Sequence, residues 1–208
     1  RLGGGVRPRR AVKPRRQGGS RRGERRLFLV CVEGKTEELY LKKWESRYRD
    51  RVRIVVDSTK NAPLSIVRHA IERRTALDNR GSRARGESPD EVWCMFDVDE
   101  HPHLDDALGL ARESGIEVAL SNPCLEAWFL FHFTHHTAFI DRHAAQRECE
   151  RQLGCGKNLT EAAFARLVGR HESAAAHAQA LSERHVGNGS EPRENPSSNV
   201  WELVDRLR

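Results

Sequence analysis

The sequence predicts an α/β fold: a parallel four-stranded sheet with helices on both faces, plus C-terminal helices. Three observations carry this. Four short runs, Leu27–Val32, Val52–Val56, Val92–Asp97 and Ile116–Leu120, are apolar nearly throughout, as expected of strands buried on both faces. Stretches with apolar residues at helical spacing alternate with them. Each connection is also long enough for the crossover that parallel pairing requires.

Taken in order, the first strand is followed by Gly34 and a helix with Tyr40, Trp44 and Tyr48 four residues apart. After the second strand, Leu64, Val67, Ala70, Ile71 and Leu77 repeat at helical spacing. Residues 79–90 are rich in Gly, Ser, Arg and Pro and read as an exposed loop. The third strand precedes a short amphipathic helix with Leu104, Ala107, Leu108 and Ala111. After the fourth strand, Asn122 is positioned to cap a helix opening at Pro123. Beyond Phe133 no strand is evident. Residues 140–153 and 160–185 read as helices, 187–198 as a loop, and Val200, Leu203, Val204 and Leu207 as one face of a last helix. The expected organisation is a disordered basic arm over 1–25, an α/β core over 26–135, and a helical extension over 136–208 packed on that core.

Composition narrows the class. The 208 residues contain no apolar run long enough to span a membrane and no secretory signal. Five cysteines without a CxxC pair indicate neither a disulfide framework nor a zinc ribbon, so a reducing, cytoplasmic setting fits best. The formal charge of +6 conceals an asymmetry: residues 1–26 hold eleven of the 36 basic side chains and one of the 30 acidic ones. Such a segment cannot bury enough surface to offset its ordering entropy. Its arginines, Arg9, Arg10, Arg15, Arg16, Arg21 and Arg22 among them, would attract nucleic acid. The alternative is a solubility tail or a segment added for expression.

Ligands of open α/β sheets bind beyond the carboxyl ends of the strands. There the sequence places Glu33-Gly34-Lys35-Thr36-Glu37 after the first strand, Asp97-Val98-Asp99-Glu100 after the third, and Ser121-Asn122-Pro123-Cys124-Leu125-Glu126 after the fourth. Carboxylates gathered on one edge repel unless a cation neutralises them, and such hard oxygen donors suit Mg²⁺ or Mn²⁺. The Gly-Lys-Thr at 34–36 is not a phosphate-binding P-loop, because the required first glycine falls on Leu29.

The segments VEGKTEELYL, WCMFDVDEH, ALSNPCLEAWFLFHF and NPSSNVWELVDRL, together with the looser GCGKNLT, resemble RloB-like proteins over about residues 26–208. One departure is Leu125, where the family often has Phe. The resemblance implies a Toprim-like sheet, with Glu33, Asp97 and Asp99 binding divalent metal. It also implies a nuclease-type effector of bacterial anti-phage defence, associated with an AAA-type ATPase partner. The nearest functional analogy is to Toprim effectors that cut tRNA.

Each residue also has a plainer reading. Asp97 and Asp99 alternate on a strand, on one side and about 7 Å apart, and would otherwise be solvated loop acids. Glu33 and Glu37 are also acids that a helix N-terminus favours. Lys35 would orient a scissile phosphate, or is an exposed loop lysine. Glu126 lies in a helix apolar nearly all round, so its carboxylate needs a partner: it is a metal ligand or supports one, or it forms a structural salt bridge. His101 after the Asp-x-Asp is a base or phosphate contact, or a surface histidine. His132, His135, His136 and His143 hint at zinc, but their spacing is irregular. The expected function is therefore an Mg²⁺- or Mn²⁺-dependent endonuclease acting on RNA, tRNA by analogy, with Glu33, Lys35, Glu37, Asp97, Asp99 and Glu126 as its machinery. The rival is a non-catalytic nucleic-acid-binding module or regulatory partner of the ATPase. Self-association is left open. A phosphotransferase with an aspartate nucleophile is discounted, because its Asp-x-Asp would follow the first strand.

Overall fold

The computed structural model describes residues 25–59, 62–78, 88–98, 103–156 and 158–208. The expectations for the basic arm with its six named arginines, for Asp99 and for His101 fall outside the described residues. Elements run β1 (Arg26–Val32), α1 (Lys35–Arg47), β2 (Val52–Ser58), α2 (Pro63–Asp78), β3 (Glu91–Asp97), α3 (Leu104–Glu113) and β4 (Glu117–Asn122). They continue as α4 (Leu125–Phe131), α5 (Arg142–Leu153), α6 (Glu161–Val168), α7 (His171–Gly187), β5 (Ser197–Ser198) and α8 (Val200–Leu207).

The sheet order is β2-β1-β3-β4-β5. The first four strands are parallel, with Leu29 paired to Val55 and Val92, and Cys94 to Val118. Strand alternation divides the interior in two. Phe28, Val30, Val32, Trp93 and Met95 face one side, where they share a core with Tyr40, Leu41 and Trp44 of α1 and with apolar residues of α4 through α8. Leu29, Cys31, Cys94 and Phe96 face the other, against Ile66, Val67 and Ala70 of α2 and Ala107 and Ala111 of α3. Residues on both sides of position 135 belong to the first of these cores, from Phe28 to Leu207.

Three expectations need correction. First, the sheet has five strands rather than four. Ser121 pairs with Ser198 and Asn122 with Ser197, antiparallel. The Asn199 side chain prolongs this ladder, accepting from Leu120 N at 2.6 Å and donating to Val118 O at 2.9 Å. Second, the helix expected over 160–185 is two helices. Thr160 caps α6 by accepting from Ala163 N at 3.1 Å, and the chain leaves helical geometry at Arg170 (φ −121°, ψ 8°) before α7. The break delivers His171 into the core, where it is 1% exposed. Third, Asn122 caps nothing. It belongs to β4 and donates to Arg193 O at 2.8 Å, while α4 opens only at Leu125.

Candidate active site

The carboxyl ends of β1 and β3 lie side by side. The ladder between them continues one step past β1, with Glu33 N donating to Met95 O at 3.3 Å. Glu33 Oε2 then accepts from Asp97 N, at a long 3.5 Å. Asp97 is the last residue of β3 and is only 7% exposed. Both of its carboxylate oxygens are held. Oδ1 accepts from Leu125 N at 2.9 Å, and Oδ2 accepts from Arg142 Nη2 at 3.1 Å. Asp97 thus does from 28 residues away what a local cap would do for α4.

Glu37, in the first turn of α1, is buried as well. Its carboxylate folds back toward the loop, and a Cβ at Gly34 would lie 2.9 Å from Glu37 Oε2. A side chain here would displace that carboxylate without straining the backbone, which is extended (φ −144°). Glu126 is the one residue of α4 that is not buried. It opens on a cavity of about 150 Å³ shared with Thr36, Gln146, Cys149 and Cys155.

The electrostatics follow from this crowding. Burial pushes the Asp97 carboxyl well above the usual carboxylate range. Glu37 adds to the shift, Arg142 opposes it, and Glu33 and Glu126 add further repulsion. Glu37 is raised too, first by burial, then by Glu33 and Glu126, against its own backbone amide and Arg142. Burial raises the Cys124 and Cys149 thiols, and the nearby Glu126 carboxylate raises them further, so both are protonated and apolar in character.

The structure therefore brings together Glu33, Glu37, Asp97 and Glu126. It does not bring in Lys35, whose exposed ammonium pairs with Glu38 at 3.1 Å. Arg142 was not anticipated. Its signal is a cation in the first turn of α5, where the helix dipole disfavours positive charge and Asp141 already provides the cap by accepting from Ala144 N. Among the described residues no group of three or more His, Cys, Asp and Glu side chains forms a ready metal site. The donor chemistry nevertheless fits a hard cation: four converging carboxylates, two with raised pKa, oppose one guanidinium.

The histidines go elsewhere. His132 is buried beside the Trp128 ring, and its Nδ1 lies 2.9 Å from Trp128 O. His135 and His177 meet at 3.2 Å, and the His177 Nε2 donates to His136 O. His143 is exposed on α5. The zinc reading thus gains no support among the described residues.

Neither a curated protein nor a solved structure matches the chain. The family model for RloB-like protein matches residues 28–207, from β1 to the end of α8. On that match, which takes in every carboxylate of the cluster, the chain belongs to the RloB-like family.

Proposed function

We propose that this protein is a metal-dependent nuclease of the Toprim type, cutting RNA as an anti-phage effector, with tRNA the nearest analogy for its substrate. The observation that carries the reading is the convergence of Glu33, Glu37, Asp97 and Glu126 where β1 and β3 end, with the Asp97 and Glu37 carboxyls raised by burial and mutual repulsion. Glu33 and Asp97, with Asp99, are the residues to hold Mg²⁺ or Mn²⁺, and Glu126 stands at the wall. When bound, such an ion polarises a phosphoryl oxygen and makes water more acidic. The chain contributes orientation. The Leu125 amide and the Arg142 guanidinium fix the two oxygens of Asp97. Glu37 keeps its proton to higher pH than an exposed glutamate, which limits the negative charge of the apo cluster.

A second reading, a non-catalytic nucleic-acid-binding or regulatory partner of an AAA-type ATPase, has one observation in its favour. The Arg142 guanidinium pairs directly with the Asp97 carboxylate at 3.1 Å, as in a purely structural ion pair. Incubating total RNA with the purified protein and Mg²⁺ separates the two. Discrete cleavage products are expected, and none with Asp97→Asn or with EDTA. Full activity in Asp97→Asn would overturn the nuclease assignment to this cluster. Among the described residues no helix is long and apolar enough to cross a membrane.

A further inference from the structure

We propose that Phe139 is a stacking platform for an unpaired base of the substrate, beside the phosphate to be cut. The proposal rests on the nuclease reading above and adds the strand state of the substrate. Among the described residues, Phe139 and Val186 are the large apolar side chains left exposed, and Phe139 is 76% exposed. The ring is not on a loose loop. Its neighbour Ile140 is buried, and both of its backbone groups are clamped by one side chain: Ile140 N donates to Asn195 Oδ1 at 3.0 Å, and Asn195 Nδ2 donates to Ile140 O at 2.9 Å. Two residues further on, Asp141 caps α5. On the other side of the ring, three residues before it, His136 O accepts from His177 Nε2 at 3.2 Å, so the chain is held both before and after Phe139.

The ring's position gives it a purpose. Phe139 lines an open groove of about 710 Å³ with Val98, Asn122, Arg142 and Glu194, among others. Val98 directly follows Asp97, and Arg142 is bonded to Asp97, so the groove lies beside Asp97. Its polar lining selects the occupant. Asp141 and Glu194 repel phosphate, which leaves the Arg142 side for the backbone and the ring for the base. Protein hot spots sit in larger, water-excluding apolar patches. One isolated ring edged by hydrogen-bonding groups suits a splayed-out base, which needs a π-face and partners for its edge. A paired base cannot reach it, so cleavage falls in loops or single strands.

The test is binding of a short unstructured RNA and of an RNA duplex, measured in EDTA so that no cleavage occurs. Phe139→Ala is expected to weaken single-strand binding about fivefold or more, since stacking on an aromatic ring is worth about 1–3 kcal/mol per base. Duplex binding should not change, and the melting temperature should hold because the ring is exposed. Phe139→Trp should retain single-strand affinity and Phe139→Leu should lose it. Wild-type affinity in both Phe139→Ala and Phe139→Leu overturns the stacking role and leaves the nuclease reading intact. Retention by Phe139→Leu means apolar contact rather than stacking and also overturns it. If Phe139→Ala leaves RNA binding intact but abolishes binding of an ATPase partner, the ring is a protein-docking residue instead. Wild-type protein that binds neither RNA overturns the nuclease reading together with this one.

Discussion

Two regions of this protein bury titratable side chains, and they do so to opposite effect. At the carboxyl ends of β1 and β3, groups of like charge face one another: burial raises the Asp97 carboxyl first, and Glu37, Glu33 and Glu126 raise it further. Under α7 and α4, three histidines are buried against a backbone carbonyl or an acid, while His177 also faces the ring of His135. His171 meets Asp205 at 2.7 Å, His185 meets Pro196 O at 3.0 Å, and His132 meets Trp128 O. Desolvation drives His132 down to about 3, so it is a neutral ring packed in a core. Burial of an ionisable group is thus no mark of function by itself. Convergence of like charges at a sheet edge is such a mark, because the repulsion between them opposes folding.

The contrast can be broken most directly at Asp97. Asp97→Asn is expected to lower metal-dependent cleavage by at least about a hundredfold, in keeping with the loss of a group that orders charge at the reacting centre. It should also remove the fall in stability of the metal-free protein as pH rises above the usual carboxylate range, at the cost of the bond that Oδ2 accepts from Arg142. The folded carboxyl holds its proton to higher pH than the unfolded one, so ionising it above that range costs stability, and the amide removes the cost. Asp97→Ala, which removes the acceptor for Leu125 N, should instead destabilise by about 1 kcal/mol. The same pH dependence of stability in Asp97→Asn as in the wild type would show that Asp97 is not the group whose ionisation costs stability.

Next in size is Glu126→Gln. Loss of a supporting ligand should cost about tenfold in Mg²⁺-dependent cleavage and shrink the Mg²⁺-induced rise in melting temperature. An unchanged rise would place Glu126 outside the metal's reach. A smaller effect is expected of Gly34→Ala. The new Cβ displaces the Glu37 carboxylate without backbone strain, so activity should fall severalfold while stability holds. Equal activity would remove Glu37 from the working set.

The smallest effect on activity belongs to the other region. His132→Phe should leave cleavage at pH 7.5 within about twofold. Its signature is thermodynamic: below about pH 6.5 the unfolded chain takes up a proton that folded His132 refuses down to about 3, so stability is full above that window and falls through it. The slope is up to about 1.4 kcal/mol per pH unit. Denaturant titrations at pH 7, 5.5 and 4 should show a flatter decline in the variant. An identical slope would mean that another group titrates there.

Legibility in the sequence followed the range of the interactions. The four parallel strands and the crossover helices were readable, because their signal is an apolar pattern within one segment. β5 was not, since Ser197 and Ser198 have no apolar pattern and their pairing is decided by Ser121 and Asn122 far upstream. The start of α4 is hidden for the same reason: the sequence offers a local cap at Asn122, whereas the acceptor for Leu125 N is Asp97. The break at Gly169–Arg170 was hidden in an alanine-rich stretch whose period tolerates one glycine. At the site, the carboxylates were found from their places after strands. Lys35 looked equivalent by position, and only its contact with Glu38 shows where it is engaged. Arg142 could not be assigned to Asp97 from 45 positions away.

The short antiparallel closure of the sheet also governs the timing of assembly. Ser121 and Ser198 are 77 residues apart, so at about 5–20 residues per second a growing chain would leave the outer edge of β4 unpaired for about 4–15 s after that strand is made. An open strand edge is a template for pairing with other chains. Substitutions that weaken the Asn199 amide bridge to Leu120 and Val118 would lengthen the exposure, and their penalty would be read in soluble yield during synthesis rather than in the melting of the finished protein.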